Sequence, residues 1–266
     1  MDLHNTIFIS DLDGTLLTTD KKINQANIDA IVEYQHSGGK FTIATGRSHH
    51  MIKSFLGAVH YDLPMIVCNG AMIYEPYKSE VLWAEYLPSV VSDIVKDIHF
   101  TFKSVATDIY TVDSQHYLRM NDTEKWHQNL LKLDFEYIDC LDNFNKPIVK
   151  LLFADTPEVI DELCEYVKKF SGVSFVRSLD KLLEILPNGI SKSSAVKKLQ
   201  EITCTSDHSV FTAGDYDNDI EMLKASDISF CPSNSEESVK SVADVTLCAT
   251  NDDGMMKEAL SYLVNK

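Results

Sequence analysis

Residues 6–17 read TIFISDLDGTLL: an apolar run, Ile7-Phe8-Ile9, halts at Ser10 and delivers two carboxylates, Asp11 and Asp13. An uninterrupted apolar run of this kind predicts a strand covered on both faces, hence the middle of a parallel sheet. In such sheets ligands gather off the carboxyl ends of the strands, where the two acids would stand. Two carboxylates beside a dry strand repel each other and lose hydration. They call for a cation, or for one of them to hold a proton. Asp13-Gly14 is also a hairpin signal. No second alternating strand follows it: Leu16-Leu17 gives way to a polar stretch over 18–24 and then to a helical pattern.

The pattern recurs along the first third of the chain. Apolar spacing predicts a helix over 25–37, stopped by Gly38-Gly39. A strand over 40–44 ends in Thr45-Gly46-Arg47; a helix is predicted through Met51, Ile52, Phe55 and Leu56; and a strand over 64–68 ends in Asn69-Gly70-Ala71. Strand, helix, strand, helix, strand predicts a doubly wound parallel α/β sheet. Residues 71–86 read as a hairpin around Pro76-Tyr77-Lys78-Ser79. Between 88 and 187 a separate alternation of helices and strands is long enough for an inserted α/β domain with its own sheet. After Gly189 the first pattern returns, with a helix from Ser191 carrying Lys192 in its first turn. A strand over 210–213 ends in Gly214-Asp215-Tyr216-Asp217-Asn218-Asp219, and the remaining strands fall at 228–231 and 245–248.

With 266 residues the chain can bury a full core, as one large domain or two smaller ones. Its net charge of −16 disfavours nucleic acid or an anionic membrane as partner. A phosphorylated metabolite stays compatible, since a metal ion and a few placed cations reverse the local field. No apolar stretch approaches a membrane span, and the first strand starts too early for a signal peptide, so a cytoplasmic protein is expected. The six cysteines, at 68, 140, 164, 204, 231 and 248, show no paired short spacing, which predicts reduced thiols rather than disulfides or a zinc site. The nine histidines likewise show no ligand spacing.

Four acids at predicted strand ends stand out, Asp11, Asp13, Asp215 and Asp219, with Thr45, Lys192 and Asn218 among them. Magnesium takes a few carboxylates, waters and substrate phosphate. Carboxylates with one lysine and several neutral donors are what phosphoryl transfer through an aspartyl phosphate needs. These residues, in this order, resemble a haloacid dehalogenase superfamily phosphatase of the Cof-type branch. Four motifs carry the resemblance: Asp11-Leu12-Asp13-Gly14-Thr15, Thr45-Gly46-Arg47 with Asn69-Gly70-Ala71, Lys192 after Gly189-Ile190-Ser191, and Gly214-Asp215 with Asn218-Asp219.

The resemblance implies a Rossmann-like core over 1–83 and 187–266, with a cap over 84–186 that closes on the core and reads the substrate. It implies Asp11 as the nucleophile and Asp13 as the acid and base, Asp13 holding a proton while Asp11 stays ionised on Mg2+. The ion would be held by Asp11, Asp215 and the backbone carbonyl of Asp13. Thr45, Gly46, Lys192 and Asn218 would bind the phosphate. Asp219 would hold Lys192 or reach the metal through water, with Arg47 and Asn69 further out in support. One departure concerns Pro232-Ser233-Asn234-Ser235, where family members commonly carry Gly-Asn-Ala; Asn234 is kept and its neighbours differ.

The expected partner is a small phosphorylated metabolite, and the expected assembly a monomer or weak homo-oligomer. Two other readings stay open, a phosphosugar mutase and a non-catalytic phospho-ligand-binding protein. The second is disfavoured because a binder needs no acid at position 13. An ion-pumping ATPase is disfavoured by the acid at Asp13 and the lack of spans, and a dinucleotide enzyme by the lack of a glycine-rich turn after the first strand. Trp126, Tyr117 and Arg177 carry no reading of their own.

Overall fold

A computed structural model describes residues 3–52, 55, 57–131 and 133–264. The chain forms two compact units, one from Met1–Leu82 with Ser191–Lys266 and the other from Trp83–Ile190.

The first unit opens with β1 (Thr6–Ser10), α1 (Gln25–His36), β2 (Lys40–Ile43), β3 (Met65–Val67) and β4 (Met72–Glu75), and β5 (Glu80–Ala84) runs across its boundary at Leu82. The second contributes α2 (Val91–Thr101), β6 (Ala106–Thr111), β7 (Gln115–Arg119), α3 (Asp122–Leu131), β8 (Glu136–Tyr137), β9 (Ile148–Ala154), α4 (Pro157–Tyr166), β10 (Val173–Leu179) and β11 (Leu182–Pro187). The chain then returns through α5 (Lys192–Thr203), β12 (Ser209–Ala213), α6 (Ile220–Ala225), β13 (Ile228–Cys231), α7 (Glu237–Lys240), β14 (Val245–Thr246) and α8 (Met255–Val264).

In the first unit the central sheet runs β14-β13-β12-β1-β2, and each neighbouring pair is parallel. All five residues of β1 are buried, as its unbroken apolar run requires. Phe8 stacks on Phe230 at 5.8 Å and meets Tyr34 edge-on at 6.3 Å, tying the strand to β13, two strands over, and to α1. Crossover connections bring each parallel strand back in the same direction, so the carboxyl ends of β1, β2 and β12 share one edge. A parallel bridge from Ala44 to Ile66 leads from this sheet to the three-stranded sheet β3-β4-β5.

The helix expected after Arg47 is not formed as drawn. Its described residues make turns closed by i→i−3 bonds, Met51 to Ser48 and Phe55 to Ile52, while Leu56 lies outside the described residues. Apolar residues three and four apart satisfy such tight turns as well as an α-helix.

The second unit carries the sheet β10-β11-β9-β6-β7-β8. Helices α2 and α4 bury Val91, Ile94, Val95, Ile98, Ile160 and Leu163 against Ile109, Leu151, Phe153, Leu183 and Ile185 of β6, β9 and β11. Each such side chain contributes roughly 1.5–3 kcal/mol of apolar burial. The strand residues between these positions point to the opposite face of the sheet.

Candidate active site

β1 and β12 pair in parallel from Thr6 opposite Ser209 to Ser10 opposite Ala213, so both strands release their next residues at one edge. The Asp11 amide still donates to the Ala213 carbonyl at 2.9 Å, and Asp11 is buried. Gly214 and Asp215 follow on the neighbouring strand. Gly14 turns at φ +80°, where any Cβ would run into the Asp215 carboxylate; the glycine lets this loop lie against that acid. Thr15 donates its hydroxyl to Asp215 Oδ1 at 2.7 Å.

Lys192 arrives by a defined route. The Ser191 side chain accepts the Ser194 amide, the Ser194 hydroxyl accepts the Ser191 amide, and this capping box starts α5 at Lys192. Gly70, at φ +99°, packs where a Cβ would strike the Ser191 carbonyl, so the turn after β3 lies directly on the start of α5. The Lys192 ammonium, with no exposed side-chain surface, donates to Asp11 Oδ1 and to Asp219 Oδ1, each at 2.6 Å. The other Asp219 oxygen accepts the amides of Asp215 at 3.1 Å and Tyr216 at 3.3 Å, folding the 214–219 loop around this carboxylate.

Oxygens of Asp11, Asp215 and Asp219 lie within 4.8 Å of one another. Burial raises Asp11, Lys192 pulls it down, and Asp219 and Asp215 push it up again; it ends well above the ordinary carboxylate range. Burial and then Asp219 push Asp215 to about 7, against the Thr15 hydrogen bond and Lys192. Burial opposes the charge on Lys192, but Asp11 and Asp219 prevail and hold it above the usual lysine range. One ammonium among three converging carboxylates leaves an excess of negative charge, all on hard oxygen donors. That donor set fits Mg2+.

Asp13 is held differently. Arg47 forks onto it, Nε to Oδ2 at 2.6 Å and Nη2 to Oδ1 at 2.7 Å, while Lys21 donates to Oδ1 at 2.8 Å. Burial would raise this acid, but the Arg47 fork and Lys21 outweigh it and hold it at about 2. The expected division, a proton on Asp13 and a charge on Asp11, runs against the local electrostatics, which raise Asp11 and lower Asp13 before any ion is counted. The reason is local: Asp11 shares its lysine with two further acids, whereas Asp13 has two cations of its own.

The Thr45 hydroxyl accepts the Arg47 amide at 3.2 Å, and its carbonyl accepts the Asn69 amide at 3.0 Å. A Cβ on Gly46 would touch the Asn69 side chain, and Asn69 Oδ1 accepts from Asn218 Nδ2 at 2.9 Å. Thr45, Gly46, Asn69 and Asn218 are thus one connected group. Asn234, kept in the divergent loop, donates to the Gly14 carbonyl at 3.0 Å and accepts the Asn251 amide at 2.9 Å, bracing the turn after Asp13. Sequence reasoning gave no role to Lys21 or Thr15. Thr15 stood inside the first motif and could have been read as an Asp215 partner; Lys21 carries no signal within its polar segment.

A family model described as haloacid dehalogenase-like hydrolase matches residues 8–258. Pyridoxal phosphate phosphatase of Escherichia coli K12 is 26% identical, the match covering 96% of this chain and 97% of the relative. The 5-amino-6-(5-phospho-D-ribitylamino)uracil phosphatase of Bacillus subtilis 168 is 23% identical, covering 95% of each. Among solved structures, a phosphatase of the same superfamily from Bacteroides thetaiotaomicron superposes with a TM-score of 0.83 at 25% identity, covering 97% of this chain and 95% of that one.

Proposed function

The chain belongs to the haloacid dehalogenase-like hydrolase family, and from that membership we propose that it is a Mg2+-dependent phosphatase. Its substrate would be a small phosphorylated metabolite, a sugar phosphate or similar phosphomonoester, cleaved through an aspartyl phosphate on Asp11. The two phosphatase relatives act on different phosphorylated compounds by name, which supports the reaction class and leaves the compound open. The observation that carries the reading is the buried Lys192 ammonium, 2.6 Å from both Asp11 and Asp219.

In this reading an Asp11 oxygen attacks phosphorus while the bond from phosphorus to the alcohol oxygen breaks. Asp13 gives its proton to the departing oxygen, so the alcohol leaves neutral. Asp13 then takes a proton from water, whose oxygen attacks the same phosphorus. The bond to Asp11 breaks, releasing inorganic phosphate and restoring the carboxylate. Because Arg47 and Lys21 keep Asp13 ionised in the free protein, the first step requires it to release this clamp and gain a proton as substrate enters. Lys192 holds Asp11 in line and balances charge on the phosphoryl group, with Thr45, Gly46 and Asn218 as neutral donors. Asp219 acts as a positioning residue for Lys192 and the 214–219 loop. Mg2+, held by Asp11, Asp215 and the Asp13 carbonyl, would supply charge neutralisation at the phosphoryl oxygens. Residues 84–186 are proposed to select among phosphomonoesters; exchanging them for a relative's segment should move the substrate profile and leave Mg2+ dependence unchanged.

The test is phosphate release from an aryl phosphate and a panel of metabolite phosphates, with Mg2+ and with chelator, for the natural protein and Asp11→Asn. Mg2+-dependent release that vanishes in Asp11→Asn supports the proposal. A folded, Mg2+-loaded protein that releases nothing from any substrate overturns it.

A further inference from the structure

We propose that Asp108, Glu124 and His127 of the second unit form a binding site for a divalent transition-metal ion of the zinc or manganese class, separate from the carboxylate group around Asp11. The site is built on the sheet face opposite α2 and α4. Asp108 sits in β6 opposite Leu152 of β9, which in turn sits opposite Glu184 of β11, and Tyr110 sits opposite Lys150 one row away. Helix α3 packs on β6 and brings Glu124 and His127, one turn apart, to the same place.

Three features point to a cation. The first is geometry. One ligand atom from each of the three residues lies within 4.8 Å of the others. His127 Nδ1 is 3.3 Å from Glu124 Oε1 and 3.9 Å from Asp108 Oδ2. Bonds of about 2.0–2.2 Å to a tetrahedral ion put ligand atoms roughly 3.4 Å apart, so the ring nitrogen and both acids stand close to that spacing. The second is unmet bonding. Asp108 and Glu124 have no exposed surface, and with neither acid protonated their oxygens Oδ2 and Oε2 find no hydrogen-bond donor; a proton between the two acids is the alternative to a cation. Gln128 Nε2 holds the other Asp108 oxygen at 3.2 Å, orienting the acid as an outer partner orients a ligand.

The third is charge. Among the described residues of this cluster, the buried carboxylates Asp108, Glu124 and Glu184 face one buried lysine, Lys150, paired with Glu184 at 3.1 Å. Counting all three acids as ionised and His127 as neutral, the group has two negative charges in excess, the amount one divalent ion removes. An imidazole among the ligands favours zinc, manganese or a neighbouring transition metal over magnesium. The competing state is a proton shared between the two acids. Burial and the neighbouring Glu124 do raise Asp108 well above its ordinary range in the ion-free protein.

The experiment titrates the whole 266-residue chain with Zn2+ and, separately, Mn2+, in an Asp11→Asn/Asp215→Asn background that weakens the other carboxylate group. Bound metal is measured after gel filtration, and Co2+ absorption reports ligand type. The proposal expects one equivalent bound, a Co2+ spectrum with a nitrogen ligand, and a higher thermal midpoint with metal. His127→Gln and, independently, Glu124→Gln should weaken binding at least about tenfold. Folding of each variant is checked by circular dichroism without metal. If only one variant folds, that variant decides. No bound metal in the background protein, or binding that both folded variants leave unchanged, overturns the proposal and leaves the shared proton as the state of the pair.

Discussion

Lys192→Met removes the cation on which the carboxylate group is centred and keeps much of its length and volume. In the natural protein the ammonium lies 2.6 Å from Asp11 and from Asp219, and all three side chains are buried. At an effective dielectric of about 20 each pair attracts by roughly 6 kcal/mol, less a dehydration cost of several kcal/mol per ion. The variant strands both acids without their cation, and breaking a buried pair in this way costs about 3–5 kcal/mol. That loss is expected in chelator near neutral pH. It has a ceiling, because Asp11 is already raised by burial and can take up a proton. The penalty should therefore shrink as the pH falls. The lysine does not titrate in this range: its folded value is raised, so its contribution is complete below the ordinary lysine pKa and is lost only in strong alkali. Urea unfolding followed by circular dichroism, near neutrality and at mildly acidic pH, reads both effects. A loss below about 1 kcal/mol, the size of an exposed ion pair, would refute the reasoning. So would a loss that does not change with pH.

Asp215 supplies a second expectation. Its folded value of about 7 exceeds its unfolded value, so the folded state binds the extra proton between those limits and stability falls as pH rises through the window. In chelator, thermal midpoints of the natural protein should decline over this range relative to Asp215→Asn, and saturating Mg2+ should remove the difference; parallel curves would count against it. Arg47→Met takes the fork from Asp13, whose value of about 2 should climb, moving upward the alkaline limb of the kcat/KM profile, where the proton Asp13 gives the leaving group is lost. Lys21→Met should move it less, because that pair is half-exposed, and the reverse ranking would show the clamp misread. Gly70→Ala forces a side chain into a positive-φ site against the Ser191 carbonyl and should cost about 1–3 kcal/mol while displacing the start of α5. Denaturation and phosphate release should fall together; normal values for both would dismiss the contact.

Strands buried on both faces were legible because burial leaves one instruction, an unbroken apolar run, as in Ile7-Phe8-Ile9 and Val210-Phe211. β7 and β8 carry no such signal, because Gln115–Arg119 and Glu136–Tyr137 are polar or short and lie toward one margin of their sheet. The acids of the candidate site were legible for a related reason: a carboxylate at the end of a dry strand needs a partner. Which partner it takes was not legible. Lys192 joins Asp11 across 181 residues, and Arg47 reaches Asp13 across 34. Only the fold decides that Asp13 collects two cations while Asp11 shares one with two more acids. The same logic extends to Asp108, an acid inside the covered strand Ala106–Thr111, whose signal resembles that of Asp11. Its meaning depends on α3, which brings Glu124 and His127 to that face, and no local pattern in residues 122–131 says where that helix will dock. A buried acid in a strand thus announces a missing charge, and the fold determines whether a lysine, a proton or a metal ion supplies it.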